Sequence, residues 1–380
     1  MNLELTEEQQ MVRRTVREYA ENEIAPLARE YDEAEKFPHK QIEGLGVLGI
    51  LGMIIPEEYG GAGFDSVSYA LALEEISKAD ASVAVIVSVT NSVCCYPILS
   101  FGTEEQKQKY LVPLARGEKL GAFCLTEPQA GSDATGLKTR AVEDGNFFIL
   151  NGTKSWVTSG SEAEVFIVMA VTGETSGKKE ITSFIVEGGT KGFTVSSHEH
   201  KMGQRASQTN EMSLVDVRVS KANVLGGIGN GMRVAFGSLD NGRIGVAALS
   251  VGIAQAALEE STKYAKDRIA FGKPIAEFQA IQFKLADMAM QTEAARLLTL
   301  RAAASKDSGS KQTGIYASQA KLFASENANK VCAEAIQIHG GNGYSRHYNV
   351  EKYYRDARIT TIYEGTSEIQ RIVISRGILR

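Results

Sequence analysis

One carboxylate near the C-terminus has the surroundings of a candidate general base. Glu364 lies in the segment Ile362-Tyr363-Glu364-Gly365-Thr366, between an aromatic residue and a glycine, after a run too polar to be core. A carboxylate removes a carbon-bound proton best when its surroundings exclude water and raise its pKa toward neutrality. A glutamate beside a glycine is more often a solvated turn, so the rest of the chain must supply the support for catalysis.

Motifs of other common chemistries are missing from the sequence. Neither a strand-linked GxGxxG nor a GxxxxGK[ST] occurs, which disfavours a Rossmann domain and a P-loop. The histidines form no HExxH, and His198-x-His200 has no cysteine or carboxylate partner nearby in sequence, so we predict no metal site. Nucleophilic catalysis lacks a candidate, because no GxSxG occurs and Cys94-Cys95 has no histidine close by.

Composition gives no sign of nucleic-acid or membrane binding. The 380 residues carry a formal net charge of -5, with no block of five or more like charges. The four cysteines form no disulfide framework, which predicts a reducing compartment. The sequence shows no signal-peptide pattern, and we expect no apolar stretch of about eighteen residues. We therefore predict a cytoplasmic protein without membrane insertion, or a mitochondrial matrix protein if a presequence was removed.

Hydrophobic periodicity divides the chain into three predicted domains. Residues 1–118 show helical spacing, with capping-box patterns beginning at Thr6 and Thr103. Residues 119–228 change to short β-branched and aromatic runs separated by turn dipeptides, which predicts a compact antiparallel β domain, a barrel or a sandwich. Residues 229–380 return to helical spacing.

Three long helices are predicted in the last of these domains. Apolar residues recur at helical spacing through 231–265, 277–306 and 312–338. Pro274 falls between the first two segments and marks a turn. Helices of this length predict a helical bundle, so the fold class is α+β with several domains.

Five further segments are polar and punctuated by glycine. They are LTEPQAGSD at 125–133, SWVTSG at 155–160, LDNGRIG at 239–245, DRIAFGKPI at 267–275 and QIHGGNG at 337–343. Together with IYEGT, these segments resemble in order and spacing the signatures of the acyl-CoA dehydrogenase flavoproteins. The resemblance covers essentially the whole chain. It implies a helical domain, a β domain and a C-terminal four-helix bundle, with FAD as cofactor and an acyl-CoA as substrate.

The resemblance implies two groups of FAD contacts. Residues matching those that line the flavin are Phe123, Leu125, Thr126, Gly131, Ser132, Trp156, Val157 and Thr158. Residues matching those of the pyrophosphate and adenine side, partly across a subunit interface, are Arg268, Phe271, Gln279, Gln337, Ile338, His339, Gly340 and Gly341. Thr366 and Glu368 complete the cofactor set. A cofactor shared between chains implies a homo-oligomer, and the family resemblance implies a tetramer.

The same resemblance implies the reaction. Residues matching the substrate-contacting positions are Ser132, Asp240, Asn241, Gly242, Arg243 and Gly365. Glu364 would take the α-proton of the thioester while the β-hydrogen leaves as hydride to flavin N5, giving a trans-2-enoyl-CoA. Its backbone N–H and an FAD ribityl hydroxyl would hold the thioester oxygen. Some branches of the family place the base at the position of Gly242 instead, and this chain follows the commoner arrangement.

The acyl group is the least determined part of this interpretation. Overall similarity is greatest to short-chain, butyryl-type members, and the segment AVIVSVTNS at 84–92 lacks the arginine that glutaryl-type members use for a distal carboxylate. A branched or cyclic acyl-CoA, an acyl-CoA oxidase and a non-catalytic relative that binds nucleic acid or protein remain alternatives. By resemblance, the electron acceptor is an electron-transferring flavoprotein.

Overall fold

The computed structural model describes residues 4–379 and confirms the predicted fold class. Helices form the first part of the chain, a sheet forms the middle part, and long helices form the last part. Strand β1 begins at Gly121, and the first long helix of the last part begins at Gly231. The predicted domain boundaries after residues 118 and 228 stay predictions.

The first part of the chain is built from short helices. They are α1 (Glu7–Tyr19), α2 (Ala28–Ala34), α3 (His39–Val47), α4 (Ser66–Ala79), α5 (Ala81–Val89), α6 (Tyr96–Phe101), α7 (Glu104–Gln106) and α8 (Val112–Ala115). Both predicted capping boxes are present, at Thr6 with Gln9 and at Thr103 with Gln106. Each satisfies backbone N–H groups that a helix N-terminus otherwise leaves without an acceptor.

The helical spacing of residues 1–118 predicts one amphipathic helix from Thr6 to about Asp32, and this prediction was wrong in detail. A π-helical turn at Ala20–Ile24 and a 3-10 turn at Ala25–Leu27 separate α1 from α2. Pro26 lies within the second turn and cannot donate a backbone hydrogen bond, which explains why the regular helix stops there.

One helical run is long and apolar enough to span a membrane, contrary to the expectation from sequence. It covers Ala81–Phe101, with a mean hydropathy of 1.7, and 89% of its most apolar window is buried inside the protein. Serine, threonine and asparagine residues interrupt its apolar residues, so the sequence does not show a continuous apolar stretch. Its burial is that of a core helix.

The middle part forms one mixed sheet. Its strands are β1 (Gly121–Cys124), β2 (Arg140–Asp144), β3 (Phe147–Thr158), β4 (Val165–Thr175), β5 (Lys178–Glu187), β6 (Phe193–His198), β7 (Thr209–Ser220) and β8 (Val224–Leu225). The strand order is β6-β7-β3-β2-β4-β5-β8, and β1 pairs with β4. The expectation of a purely antiparallel domain was wrong, because β1 and β2 both run parallel to β4. A parallel pair requires a long crossover, and the β1 to β4 connection carries the segment 125–133.

The last part contains the predicted long helices. They are α9 (Gly231–Asp267), α10 (Gln279–Asp307) and α11 (Thr313–His339), followed by α12 (Val350–Arg358) and α13 (Ser367–Ile378). The turn at Pro274 is a small hairpin of β9 (Ile269–Ala270) and β10 (Lys273–Pro274). Buried residues of α4, α5, α9 and α11 share one hydrophobic core, so the two helical parts pack on each other. Burying these apolar surfaces is the main force that fixes the helices around Glu364.

Candidate active site and cofactor clefts

Glu364 lies in a short loop whose backbone is strained. The loop joins the 3-10 turn Ile359–Thr361 to α13, and Glu364 has a left-handed φ of 54° that is unusual for a residue with a side chain. Gly365 follows with a φ of 93°, and Thr366 caps α13 by accepting a hydrogen bond from the N–H of Ile369. Strain of this kind persists where the surrounding structure fixes the position of a functional side chain.

The carboxylate of Glu364 is partly shielded from solvent. Its Oε2 atom is buried and has no hydrogen-bond partner among residues 4–379. Burial raises the pKa of Glu364 to about 7, and the positive charges of Lys321 and Arg243 limit the rise. An unpaired carboxylate oxygen with a pKa near neutrality is suited to accept a proton from carbon.

Gly242 lies directly against this carboxylate. A Cβ atom on Gly242 would be 1.7 Å from Oε2 of Glu364, which is shorter than any non-bonded contact. Gly242 is buried on α9, so helix and loop meet here at the distance that only glycine allows. The two residue positions predicted as alternative locations for the base are thus in contact.

Two side chains fix the loop from neighbouring helices. Lys321 of α11 donates from Nζ to the carbonyl oxygen of Gly365 at 2.7 Å. Gln370 of α13 donates from Nε2 to the carbonyls of Glu364 at 3.2 Å and Gly365 at 2.9 Å. Neither residue was identified from sequence. The available signal was a lysine within the apolar stripe of α11, where Lys321 is fully buried.

The other predicted substrate residues of α9 surround the same region. Arg243 donates from Nη1 to Oδ1 of Asp240 at 2.9 Å, as their (i, i+3) spacing allows. Arg243 and Asn241 are buried, and Nε of Arg243 and Nδ2 of Asn241 have no partner in the described chain. The structure therefore brings Glu364, Gly242 and Arg243 together and leaves polar atoms free to bind a ligand.

A buried ion pair joins the two predicted flavin-lining segments. Lys154 of β3 donates from Nζ to Oε1 of Glu127 at 2.7 Å and to the carbonyl of Leu125 at 3.2 Å. The N–H of Ser155 donates to the carbonyl of Thr126 at 2.9 Å. These contacts hold the segment 125–133 against the strand that carries Trp156. Glu127 and Lys154 were not singled out from sequence, although a lysine at an inward position of a strand was the available signal.

Several predicted flavin contacts face outward. Trp156 has a left-handed φ of 60° and a 57% exposed side chain, while the neighbouring Val157 is buried. Gly131 and Ser132 are exposed, and a Cβ on Gly131 would meet nothing within 4 Å. Phe123, Leu125, Thr126 and Thr158 are half-buried. Together they present an apolar ring and backbone amides at the C-terminal ends of β1 and β3.

The predicted pyrophosphate and adenine residues lie at the far end of α9. Arg268 caps that end, and Arg268 and His339 both line two adjoining clefts with volumes of about 650 and 340 Å³. Ile338, Gly340 and Gly341 line the smaller cleft. Gln337 at the end of α11, Gln279 at the start of α10 and Phe271 of the hairpin loop are exposed.

His339 is positioned for binding by its neighbours. Its ring stacks on Tyr264 at a centroid distance of 4.1 Å, and its Nδ1 is 2.8 Å from the carbonyl of Ala335. Burial lowers the pKa of His339, which favours the neutral ring. With Nδ1 as the donor to Ala335, the buried Nε2, which has no partner in the described residues, is left as an acceptor.

The structure does not bring all predicted site residues together in one chain. Gly242 lies within α9 and Arg268 directly follows its C-terminal end, and their separation of twenty-six positions corresponds to about 39 Å at about 1.5 Å per residue. The predicted substrate contacts and the predicted pyrophosphate contacts are therefore far apart along this helix. Glu368 is exposed on α13 and does not line the clefts that Arg268 lines.

Family comparisons identify the class of protein. The family model "Acyl-CoA dehydrogenase, N-terminal domain" matches residues 6–118, the middle-domain model matches 122–217, and the C-terminal-domain model matches 229–379. The chain belongs to the acyl-CoA dehydrogenase family, as its sequence motifs indicated. It is therefore an oxidoreductase with FAD as its cofactor.

Individual relatives match the chain over its whole length. A probable acyl-CoA dehydrogenase of Bacillus subtilis (strain 168) is 52% identical over 381 residues, with 100% of both chains covered. The structure of butyryl-CoA dehydrogenase from Megasphaera elsdenii superimposes with a TM-score of 0.98 at 47% identity, again with 100% of each chain covered. A chain from a structure described as the electron transferring flavoprotein of Acidaminococcus fermentans gives the same TM-score, identity and coverage.

Proposed function

We propose that this protein is an FAD-dependent dehydrogenase of short-chain acyl-CoA thioesters, with Glu364 as the base that removes the α-proton. The observation that carries the proposal is the buried, unpaired Oε2 of Glu364 beside Gly242, with a pKa raised to about 7. A base with this pKa is deprotonated in a large fraction of molecules at neutral pH and still has a strong affinity for a proton. The product is a trans-2-enoyl-CoA.

The loop that carries the base also supplies a donor for the thioester oxygen. The N–H of Glu364 has no hydrogen-bond acceptor among the described residues, while its carbonyl is held by Gln370. A fixed, free N–H group stabilises the negative charge that develops on the thioester oxygen as the α-proton leaves. Lys321 holds the next carbonyl, that of Gly365, so the donor keeps its direction during the reaction.

The residues present fit FAD. Trp156 and Thr158 would contact the flavin ring from β3, and the exposed amides near Gly131 and Ser132 would approach it closely. When bound, FAD accepts the β-hydrogen as hydride. The protein's part is to orient the substrate between this surface and Glu364 and to exclude water, which strengthens each electrostatic contact in the site.

The far end of the cofactor is proposed to be held by a second subunit. Arg268 offers a fixed positive charge to two phosphates, and Nε2 of His339 offers a free acceptor. Arg268 lies at the end of α9, about 39 Å along the helix from Gly242, and we propose that one site combines the Glu364 region of one chain with Arg268 of another.

An exposed apolar stripe supports the proposed homo-oligomer. Phe283, Met290 and Leu297 recur every seven residues on α10 and have 63%, 63% and 41% of their side-chain surface exposed. Residues seven apart lie on one face of a helix, so a second copy of the chain can cover all three. We propose a tetramer, as the family resemblance implied, and light scattering on the FAD-loaded protein tests this directly.

Packing beyond Glu364 supports a short acyl chain. Gly245 lies one turn along α9 from Gly242, and a Cβ there would be 2.4 Å from Oγ of Ser88 and 2.9 Å from the hydroxyl of Tyr69. Ser88 and Tyr69 are buried and joined by a hydrogen bond of 3.3 Å. We propose that these side chains close the space one helical turn beyond Gly242 and so favour a short acyl chain. The similarity to a butyryl-CoA dehydrogenase points the same way.

The electron acceptor is proposed by similarity alone. One of the matched structures is described as an electron transferring flavoprotein, and we propose a protein of that kind as the partner of this chain. Cytoplasmic location likewise stays a prediction.

Anaerobic flavin reduction tests the proposed function. Butyryl-CoA should bleach the flavin of the wild-type protein, and Glu364→Gln should slow this step by about 10²- to 10⁴-fold while FAD stays bound. Glu326→Gln, which changes a carboxylate paired with Arg371 on the surface, is the matched control and should react like wild type. Bleaching of Glu364→Gln at the wild-type rate would exclude Glu364 as the base.

Two further assays separate the alternative functions. Peroxide formation in air distinguishes an oxidase from a dehydrogenase. If no member of a panel of short, long, branched and cyclic acyl-CoAs bleaches the wild-type flavin, the protein is better explained as a non-catalytic relative.

A further inference from the structure

Three potential metal ligands converge on the surface beside α2, away from the catalytic base. Glu35 ends α2 in a left-handed conformation with a φ of 49°, His198 ends β6, and His200 follows two residues later. One ligand atom from each lies within 4.8 Å of the other two. Residues two apart in an extended segment face the same side, and the two imidazole rings meet edge to face at 5.4 Å.

The distances suit a tetrahedral ion. Oε2 of Glu35 is 2.7 Å from Nδ1 of His200 and 3.9 Å from Nε2 of His198. Ligand atoms around Zn²⁺ with bonds of about 2.0–2.1 Å are about 3.3 Å apart. The observed distances fall on either side of this value, so small side-chain rotations can bring all three atoms onto one ion. We propose that Glu35, His198 and His200 form a Zn²⁺ site, since two imidazoles and one carboxylate are a donor set that zinc prefers.

The backbone holds these ligands in place before any ion binds. Gln208 donates from Nε2 to the carbonyl of Glu35 at 2.7 Å, which ties the end of α2 to the segment after β6. The N–H of Glu199, between the two histidines, donates to the carbonyl of Thr209 at 2.9 Å and keeps that segment extended. A site whose ligands are held in this way loses less conformational entropy on binding.

The charged groups around the cluster also bear on cation binding. Lys201 is the positive charge that opposes binding, and its ammonium group is held away by donating a hydrogen bond to the carbonyl of Ser207 at 2.7 Å. The carboxylates of Glu35 and Glu199 offset the charge of the ion.

The sequence could not show this site because its carboxylate is distant in the chain. Glu35 and His200 are 165 residues apart. The segment that carries the histidines continues to Gln204, which donates from Nε2 to the hydroxyl of Tyr363 at 3.3 Å. Bound Zn²⁺ therefore fastens α2 to the segment that supports the residue before Glu364, and it stabilises the folded protein because the unfolded chain lacks the assembled site.

Zinc titration of the FAD-loaded enzyme tests the proposal. The protein, freed of affinity tags and treated with EDTA, is titrated with ZnCl₂ in a calorimeter at pH 7.5. We expect one ion per chain, with binding at least about tenfold weaker in Glu35→Gln and His200→Gln. His39→Gln is the matched control, because His39 also pairs with a carboxylate, Glu162 at 3.5 Å, but this pair lacks a second imidazole. It should bind zinc like wild type.

Two further measurements make the outcome decisive. Zinc should raise the thermal midpoint of wild type and His39→Gln but not of His200→Gln, whose exposed side chain is not needed for folding. X-ray absorption at the zinc edge should show nitrogen and oxygen ligands only. Absence of stoichiometric binding, equal affinity in Glu35→Gln and His200→Gln, or a sulfur ligand would overturn the proposal.

Discussion

Gly242 and Glu364 occupy one shared space, because a Cβ on Gly242 would lie 1.7 Å from Oε2 of Glu364. The helix residue must lack a side chain so that the loop residue can place its carboxylate there. Only one of the two positions can therefore carry the base at a time. Glycine destabilises a helix interior by about 1 kcal/mol relative to alanine, so helix stability alone does not favour a glycine at position 242. The close approach of the Glu364 carboxylate explains why a glycine is needed there.

Substitution of Gly242 by alanine should reduce activity without unfolding the protein. The new methyl group must displace the carboxylate of Glu364, and a shift of about 1 Å at a reacting group can lower the rate by about 10²-fold. We expect a fall of that size in the rate of flavin reduction by butyryl-CoA, with an unchanged thermal midpoint or a higher one. Gly237→Ala on the same helix is the control, since its Cβ would meet only the ring of Phe101 at 3.1 Å. Equal rates for the two variants would contradict the proposed contact.

Lys321 should set the pH at which Glu364 becomes active. The base acts when deprotonated, so the rate rises with pH through its pKa of about 7. Lys321→Met removes a positive charge that lowers this pKa, and we expect the acidic limb of the pH–rate profile to move up by about one unit. Lys330→Met, an exposed lysine on the same helix, should leave the limb in place. A limb that moves down, or does not move, would show that Lys321 does not act on Glu364.

The same pKa has a consequence for stability. The pKa of Glu364 is raised from 4.5 to about 7 in the folded protein, so folding favours its protonated form. Its contribution is fully present below pH 4.5 and is lost as the pH rises through about 7. Glu364→Gln should therefore lose less stability than wild type over this range, which denaturant unfolding at several pH values measures.

The sequence predicted regular elements and motif residues better than contacts between distant segments. Capping at Thr6 and the limits of α9 follow from local patterns that a single helix displays. The prediction for Glu364 instead depended on the family resemblance of six separated motifs, because its own loop pattern is more often a solvated turn. Lys321 could be recognised only once packing placed it beneath Gly365, forty-four residues further along the chain. The parallel pairing of β1 with β4 likewise depends on tertiary packing, which short alternating runs do not reveal.

The buried pair of Glu127 and Lys154 should be important for stability. Their side chains are 2% and 0% exposed, so Glu127→Gln leaves an ammonium group buried without a counter-charge. Breaking a buried pair in this way costs about 3–5 kcal/mol, and the double variant with Lys154→Met should be less destabilised than Glu127→Gln alone. Glu143→Gln, which loses a surface pair with Lys221, should change stability by no more than about 1 kcal/mol. Guanidinium unfolding of the FAD-loaded proteins measures all three.

The pH dependence of this pair has the opposite sign to that of Glu364. The positive charge and hydrogen bonds of Lys154, with those of nearby backbone N–H groups, outweigh burial and lower the pKa of Glu127 from 4.5 to about 2. Its contribution is present above pH 4.5 and is lost as the pH falls toward 2. The free energy of unfolding of Glu127→Gln should therefore lack this loss at low pH. If acid destabilised the variant as much as wild type, the proposed contribution of Glu127 would be contradicted.

Replacement of Arg268 by alanine should release FAD while leaving the base intact. Arg268 lines both clefts at the end of α9, far from Gly242, and a charged hydrogen-bond donor lost from a phosphate weakens binding by about 1.5–3 kcal/mol. We expect lower FAD occupancy on dilution, measured from flavin fluorescence, and recovery of the acidic limb near pH 7 when excess FAD is added. Arg14→Ala, on the exposed face of α1, is the control and should retain FAD.

Mixing Arg268→Ala chains with Glu364→Gln chains tests whether a site is shared between subunits. If each site uses Arg268 of one chain and Glu364 of another, some sites in the mixed oligomer contain both substitutions and others contain neither. The mixture should then recover activity with tight FAD binding, whereas sites built from a single chain would recover none.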